Sequence, residues 1–85
     1  MKVLVSELRY KEVIDVADGS RYGYVGDAEV DLDTGEVTRL IVPGRLRLFG
    51  LLGREGDQVF PWSAVRRFGE DTILVERGPL LRERR

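Results

Sequence analysis

Neither cysteine nor histidine occurs in this chain, proline occurs only three times, and lysine twice against twelve arginines. Without cysteine there are no disulfides and no thiolate metal sites; without histidine, the commonest metal ligand and the commonest general base near neutral pH are both missing. Much enzyme chemistry loses its usual residues, and no enzymatic role and no cofactor are expected. Long apolar runs are missing too. Nothing approaches the roughly 20 residues needed to cross a bilayer, and "MKVLVSELRYKE" is interrupted by Glu7, Arg9 and Lys11, so it does not read as a signal peptide. A cytoplasmic location is the expectation. Fourteen basic residues against fifteen acidic ones give a net charge of -1, which argues against a dedicated nucleic-acid binder driven by counterion release.

A sustained helical period is also lacking. "SEL" at Ser6 to Leu8 reads as a single turn capped by Ser6, and little else reads as helix. What is present is a chain of 85 residues, 42% hydrophobic and 34% charged, ordinary for one small globular domain. "KEVIDV" is short and β-branched, and Asp18 with Gly19 supplies a turn in which glycine tolerates positive φ. "YVGDAEVDLD" alternates, with Ala28, Val30 and Leu32 predicted on a core face and Asp27, Glu29, Asp31 and Asp33 on a wet one.

The next turn sets the register. A three-residue loop of Asp33, Thr34 and Gly35, with Gly35 left-handed, pairs Leu32 with Glu36, Glu29 with Arg39 and Ala28 with Leu40. A two-residue loop at Thr34 and Gly35 would set Arg39 opposite Val30 on the apolar face, where an unpaired charge is expensive. The first register is preferred. "EVTRLIVP" is then the second arm of a hairpin, stopped by Pro43, which has no N–H to give. "DQVFPW" reads as a further strand, and "SAVRRFGEDTILVE" as strand, Gly69 turn, strand. Five or six short strands point to an all-β fold, a small antiparallel barrel or sandwich.

The ordered motifs "SEL", "KEVIDVADGSRYGYVGD", "TGEVTRLIVP", an apolar glycine-containing segment, "VFPWSAV" and "FGEDTILV" resemble the PRC-barrel family over roughly residues 3 to 76. More narrowly they resemble its small stand-alone branch of YlmC/YmxH-type sporulation proteins. Tyr22 stands where relatives usually carry leucine, and the tail "RGPLLRERR" is more basic than the pattern requires. The resemblance implies a small antiparallel PRC-type β-barrel of about six strands over residues 1–76; the basic residues 77–85 beyond it read as a partly flexible tail. It also implies a docking or adaptor role: similar barrels contribute to ribosomal-protein binding in a ribosome maturation factor, and tune their neighbours in the photosynthetic reaction centre.

Candidate sites divide unevenly. The acidic stripe Asp27, Glu29, Asp31 and Asp33 is better explained as a solvated strand face than as a cation site, because alternate strand residues sit about 7 Å apart and splay in parallel. Gly19, Gly23 and Gly26 are better read as turn and bend glycines than as a phosphate loop, since no helix follows to offer its N-terminus. Glu70 and Asp71 have no nucleophile to assist. Phe60 and Trp62 are expected in the core, where loss of Trp62 would cost roughly 3 to 5 kcal/mol. Arg45, Arg47, Arg54, Arg66, Arg67, Arg77, Arg82, Arg84 and Arg85 read as solvated charges first and as a patch second, for protein docking ahead of RNA.

The segment "GRLRLFGLLGREG" stands apart. Alternation places Leu46 and Leu48 on one face and Arg45, Arg47 and Phe49 on the other, as in a protruding hairpin with "GLLG" at its tip. Phe49, Leu51 and Leu52 cannot all turn inward from a glycine-flanked tip, and contiguous exposed apolar surface commonly marks an interface. Arg45, Arg47, Phe49, Leu51, Leu52 and Arg54 are therefore the expected partner-binding residues. The partner expected is a protein, with a homo-oligomer as an alternative, RNA less favoured, and a membrane surface disfavoured by the short apolar length.

Overall fold

The computed structural model describes residues 2–43, 56–76 and 80–82. After a 3-10 helix, η1 (Val5–Tyr10), come the strands β1 (Glu12–Asp15), β2 (Arg21–Tyr24), β3 (Asp27–Asp31) and β4 (Glu36–Val42). They are followed by β5 (Asp57–Pro61), a short 3-10 helix η2 (Trp62–Ala64), β6 (Val65–Phe68), β7 (Thr72–Val75) and β8 (Leu80–Arg82). The expected all-β class holds, in eight described strands rather than about six. They form two four-stranded sheets, ordered β2-β1-β7-β6 and β3-β4-β5-β8, and among the described residues no ladder joins the two into one ring.

The expectation of a wholly antiparallel fold needs correction. β1 and β7 run parallel, Val13 facing Ile73 and Asp15 facing Val75. Parallel neighbours need a long crossover rather than a tight turn, and β3, β4 and β5 of the second sheet lie in the chain between them. Both strands bury alternate residues, so Val13, Ile73 and Val75 reach the core, where they meet Leu8, Val25, Leu40, Val42 and Phe60. The first turn also differs from expectation: η1 starts after Leu4, with no side-chain cap, so Ser6 is not its N-cap.

The chain passes between the sheets at Val25 and Gly26. The Val25 N–H donates to the Lys11 carbonyl at 3.3 Å, beside the first sheet, and the Gly26 N–H to the Ile41 carbonyl of β4 at 2.8 Å. Only glycine fits there, because a Cβ at position 26 would lie 2.4 and 2.6 Å from the Pro43 ring carbons. Gln58 Nε2 adds a second tie, donating to the Tyr22 carbonyl at 3.1 Å.

The β3–β4 hairpin keeps the expected register at its base and departs from it near the tip. Ala28 faces Leu40 and Glu29 faces Arg39, but Val30 then faces Val37 and Asp31 faces Glu36. Thr38 is the extra residue of a β-bulge, and it shifts the tip by one position. The turn is therefore Leu32 to Gly35, four residues rather than three, and Leu32 does not pair with Glu36. Gly35 does take the left-handed conformation (φ +76°), its N–H donating to the Asp31 carbonyl at 2.7 Å. The predicted core face is corrected as well: Ala28 packs against the core, whereas Val30 is 42% exposed and Leu32 92% exposed. The hairpin is longer than the core it covers.

Candidate docking surfaces

Three charged side chains are buried among the described residues, Lys11, Asp15 and Asp57. Burial of a charge is tolerable only where hydrogen bonds replace water. Lys11 Nζ donates to the Gly69 and Glu70 carbonyls at 2.6 and 2.7 Å, closing the β6–β7 turn. Asp15 Oδ1 accepts the Ala17 N–H at 2.8 Å, and Oδ2 accepts the Tyr22 hydroxyl at 2.9 Å. Burial, and then the hydrogen bond to Asp15, push the Tyr22 phenol above its ordinary pKa. The Tyr22 ring lies 5.0 Å from that of Phe60. Lys11 and Asp15 thus hold turns and strand ends together.

The acidic stripe is drawn into local bonds. Asp27 Oδ1 accepts the Ala28 N–H at 2.8 Å. Glu29 accepts the Thr38 hydroxyl at 2.8 Å and stands 3.6 Å from Arg39. Asp31 Oδ1 accepts the Asp33 N–H at 2.8 Å. Among the described residues no three carboxylates are placed to hold a metal ion. Of the arginines, Arg66 bonds the Glu76 carboxylate and donates to the Ser63 carbonyl at 2.8 Å, while Arg67 is exposed.

Trp62 is not in the core. It is 40% exposed on η2, its ring 5.2 Å from that of Phe68, whereas Phe60 is fully buried. Three consecutive apolar residues, Val3, Leu4 and Val5, are also exposed, the last two by 66% each. Val5 lines a groove of about 320 Å³ with Leu8, Arg9, Val25, Asp27 and Ala28. Sequence reasoning missed this surface because "VLV" looks like strand or core.

The residues singled out from sequence, Arg45, Arg47, Phe49, Leu51, Leu52 and Arg54, lie outside the described residues. Their anchor points are described. β4 ends at Val42 and β5 begins at Asp57, and the two strands are antiparallel neighbours with Val42 facing Gln58. The ends of the intervening stretch are thus held side by side.

The PRC-barrel domain matches residues 1–82. The probable sporulation protein YlmC of Bacillus subtilis is 34% identical over 73 residues, covering 86% of this chain and 90% of the relative. The uncharacterized protein YmxH of the same organism is 32% identical over 74 residues, covering 85% and 86%. An uncharacterized protein of Clostridium acetobutylicum is 28% identical over 71 residues, covering 84% and 80%. A match over nearly the whole length, on a two-sheet fold of short strands, shows that the chain belongs to the PRC-barrel domain family.

Proposed function

We propose that this chain is a non-catalytic β-scaffold that docks onto a protein partner through residues 45–54, in a sporulation-related cytoplasmic setting. One observation carries the reading. Antiparallel neighbours such as β4 and β5 need only about 2 to 5 residues to connect them, yet twelve residues, Gly44 to Glu55, separate Pro43 from Gly56, and five of these are leucine or phenylalanine. Topology does not call for this length, and solubility does not favour this composition. Long connections are either functional or linker segments, and the apolar composition of this one favours the first. The likeness to a probable sporulation protein supports the setting.

The test is affinity capture from lysate of the source organism, with the intact chain and a Phe49→Asp, Leu52→Asp variant whose thermal unfolding matches it, each with and without nuclease. The expected result is one protein captured by the intact chain, retained after nuclease and lost with the variant. Capture that survives the substitutions, or vanishes with nuclease, overturns the assignment, and the second outcome points to RNA bound by the arginines.

A further inference from the structure

The distal half of the β3–β4 hairpin is unusual in three respects. β3 is the outer strand of its sheet, with no described strand on its far side. Its Val30, on the face that Ala28 turns to the core, and Leu32 in the adjoining turn are both exposed. Finally, Asp27, Glu29, Asp31, Asp33 and Glu36 are accompanied by a single cation, Arg39, which is already beside Glu29. Proximally the edge is blunted, because Asp27 takes the outer N–H of Ala28. Distally it is open, apolar on one face and negative on the other.

We propose that this distal edge receives the arginine–leucine stretch 45–49 of a second copy of the chain. The proposal rests on the reading of residues 45–54 as a contact segment. Charge supplies the occupant: residues 1–43 hold nine acidic and five basic side chains, residues 44–85 six acidic and nine basic. Hairpin against hairpin would set carboxylates against carboxylates and is disfavoured. "RLRL" alternates cation and aliphatic with the period at which "DAEVDL" alternates carboxylate and aliphatic. An added strand would therefore satisfy charge and cover Val30 and Leu32 together.

The same copy's Arg45 and Leu46 cannot reach the tip. β4 carries the chain away from the tip over Glu36 to Val42, about 20 Å at the rise of a strand. Arg45 and Leu46 follow Pro43 by two and three residues, which span at most about 7 and 11 Å. Exchange between two copies closes a symmetric dimer, each giving one hairpin and receiving at it the other's arginines.

Sedimentation of the intact chain over a wide concentration range tests this. The expected result at low salt is a rise from 9.7 kDa to twice that mass, reversed at high salt by screening. Asp33→Lys, Glu36→Lys and Arg45→Glu, Arg47→Glu are each expected to stay monomeric, and an equimolar mixture of the two is expected to dimerise, because both contacts regain opposite charge. The side chains of Asp33 and Glu36 make no bond among the described residues, so the first pair spares the turn. Leu32→Ser is expected to weaken the dimer roughly tenfold. A monomer at every concentration, or a mixture that stays monomeric, overturns the inference and leaves the capture experiment intact. Capture that survives Phe49→Asp, Leu52→Asp while the dimer forms as expected overturns the partner reading and leaves the dimer standing.

Discussion

The Tyr22 hydroxyl donates to Asp15 Oδ2 at 2.9 Å, tying β2 to the end of β1 where β1 lies against β7. Leucine at position 22 could supply the packing on Phe60 but not this bond. Tyr22→Phe keeps the ring and removes the donor from a buried carboxylate, and is expected to lower stability by about 1 to 2 kcal/mol in urea unfolding.

The same pair sets an alkaline limit. The folded-state pKa of Tyr22 lies above the ordinary 10.0, so the folded protein holds the phenolic proton more tightly than the unfolded chain. The resulting stability is fully present below pH 10 and is lost as pH rises through the folded-state value. Urea midpoints measured upward from pH 9 are expected to fall more steeply for the intact protein than for Tyr22→Phe. Parallel slopes would show that Tyr22 does not carry the effect.

Gly26→Ala drives a methyl group into the Pro43 ring and is expected to cost about 1 to 3 kcal/mol. Because the clash is with Cγ and Cδ of Pro43, combining the change with Pro43→Ala is expected to recover much of the loss. Simple addition of the two single effects would show that the close approach is not the cause.

Phe60→Ala is expected to cost roughly 3 to 5 kcal/mol. Trp62→Ala should cost clearly less, about 1 to 2 kcal/mol, because Trp62 has water on one side and chiefly Phe68 on the other. Thermal unfolding of the two variants ranks them directly.

Lys11→Met preserves length and leaves the Gly69 and Glu70 carbonyls without their charged donor. The expected loss is about 1 to 3 kcal/mol, with amide exchange accelerated first in the turn between β6 and β7. Uniform acceleration across the first sheet would assign Lys11 a wider role.

Local rules explain where sequence reading succeeded and where it stopped. Charge pairing and turn chemistry put Glu29 opposite Arg39 and Ala28 opposite Leu40, as the structure does. They gave no sign of the bulge at Thr38, because inserting one residue into an alternating strand leaves the alternation on either side intact. Apolar neighbours in sequence point Trp62 to the core, but sequence neighbours in a 3-10 turn do not share a face. Leu4 and Val5 were illegible because an apolar run such as "VLV" carries no sign of which of its residues stay in water. Lys11, Asp15 and Tyr22 find their partners only after the strands have assembled, and nothing in their local sequence announces it. Tyr22 alone left a trace, as a polar-tipped ring where an aliphatic residue is usual.

The parallel seam between β1 and β7 has a cost during synthesis. Val13 is made 60 residues before its neighbour Ile73, an interval of roughly 3 to 12 seconds at about 5 to 20 residues per second. Throughout it the nascent chain holds a strand with one flank unpaired and apolar side chains uncovered, a template for any passing edge. β3, β4 and β5 can pair in that interval, but the β1–β7 ladder cannot, so the side chains of β1 are made long before they are sheltered.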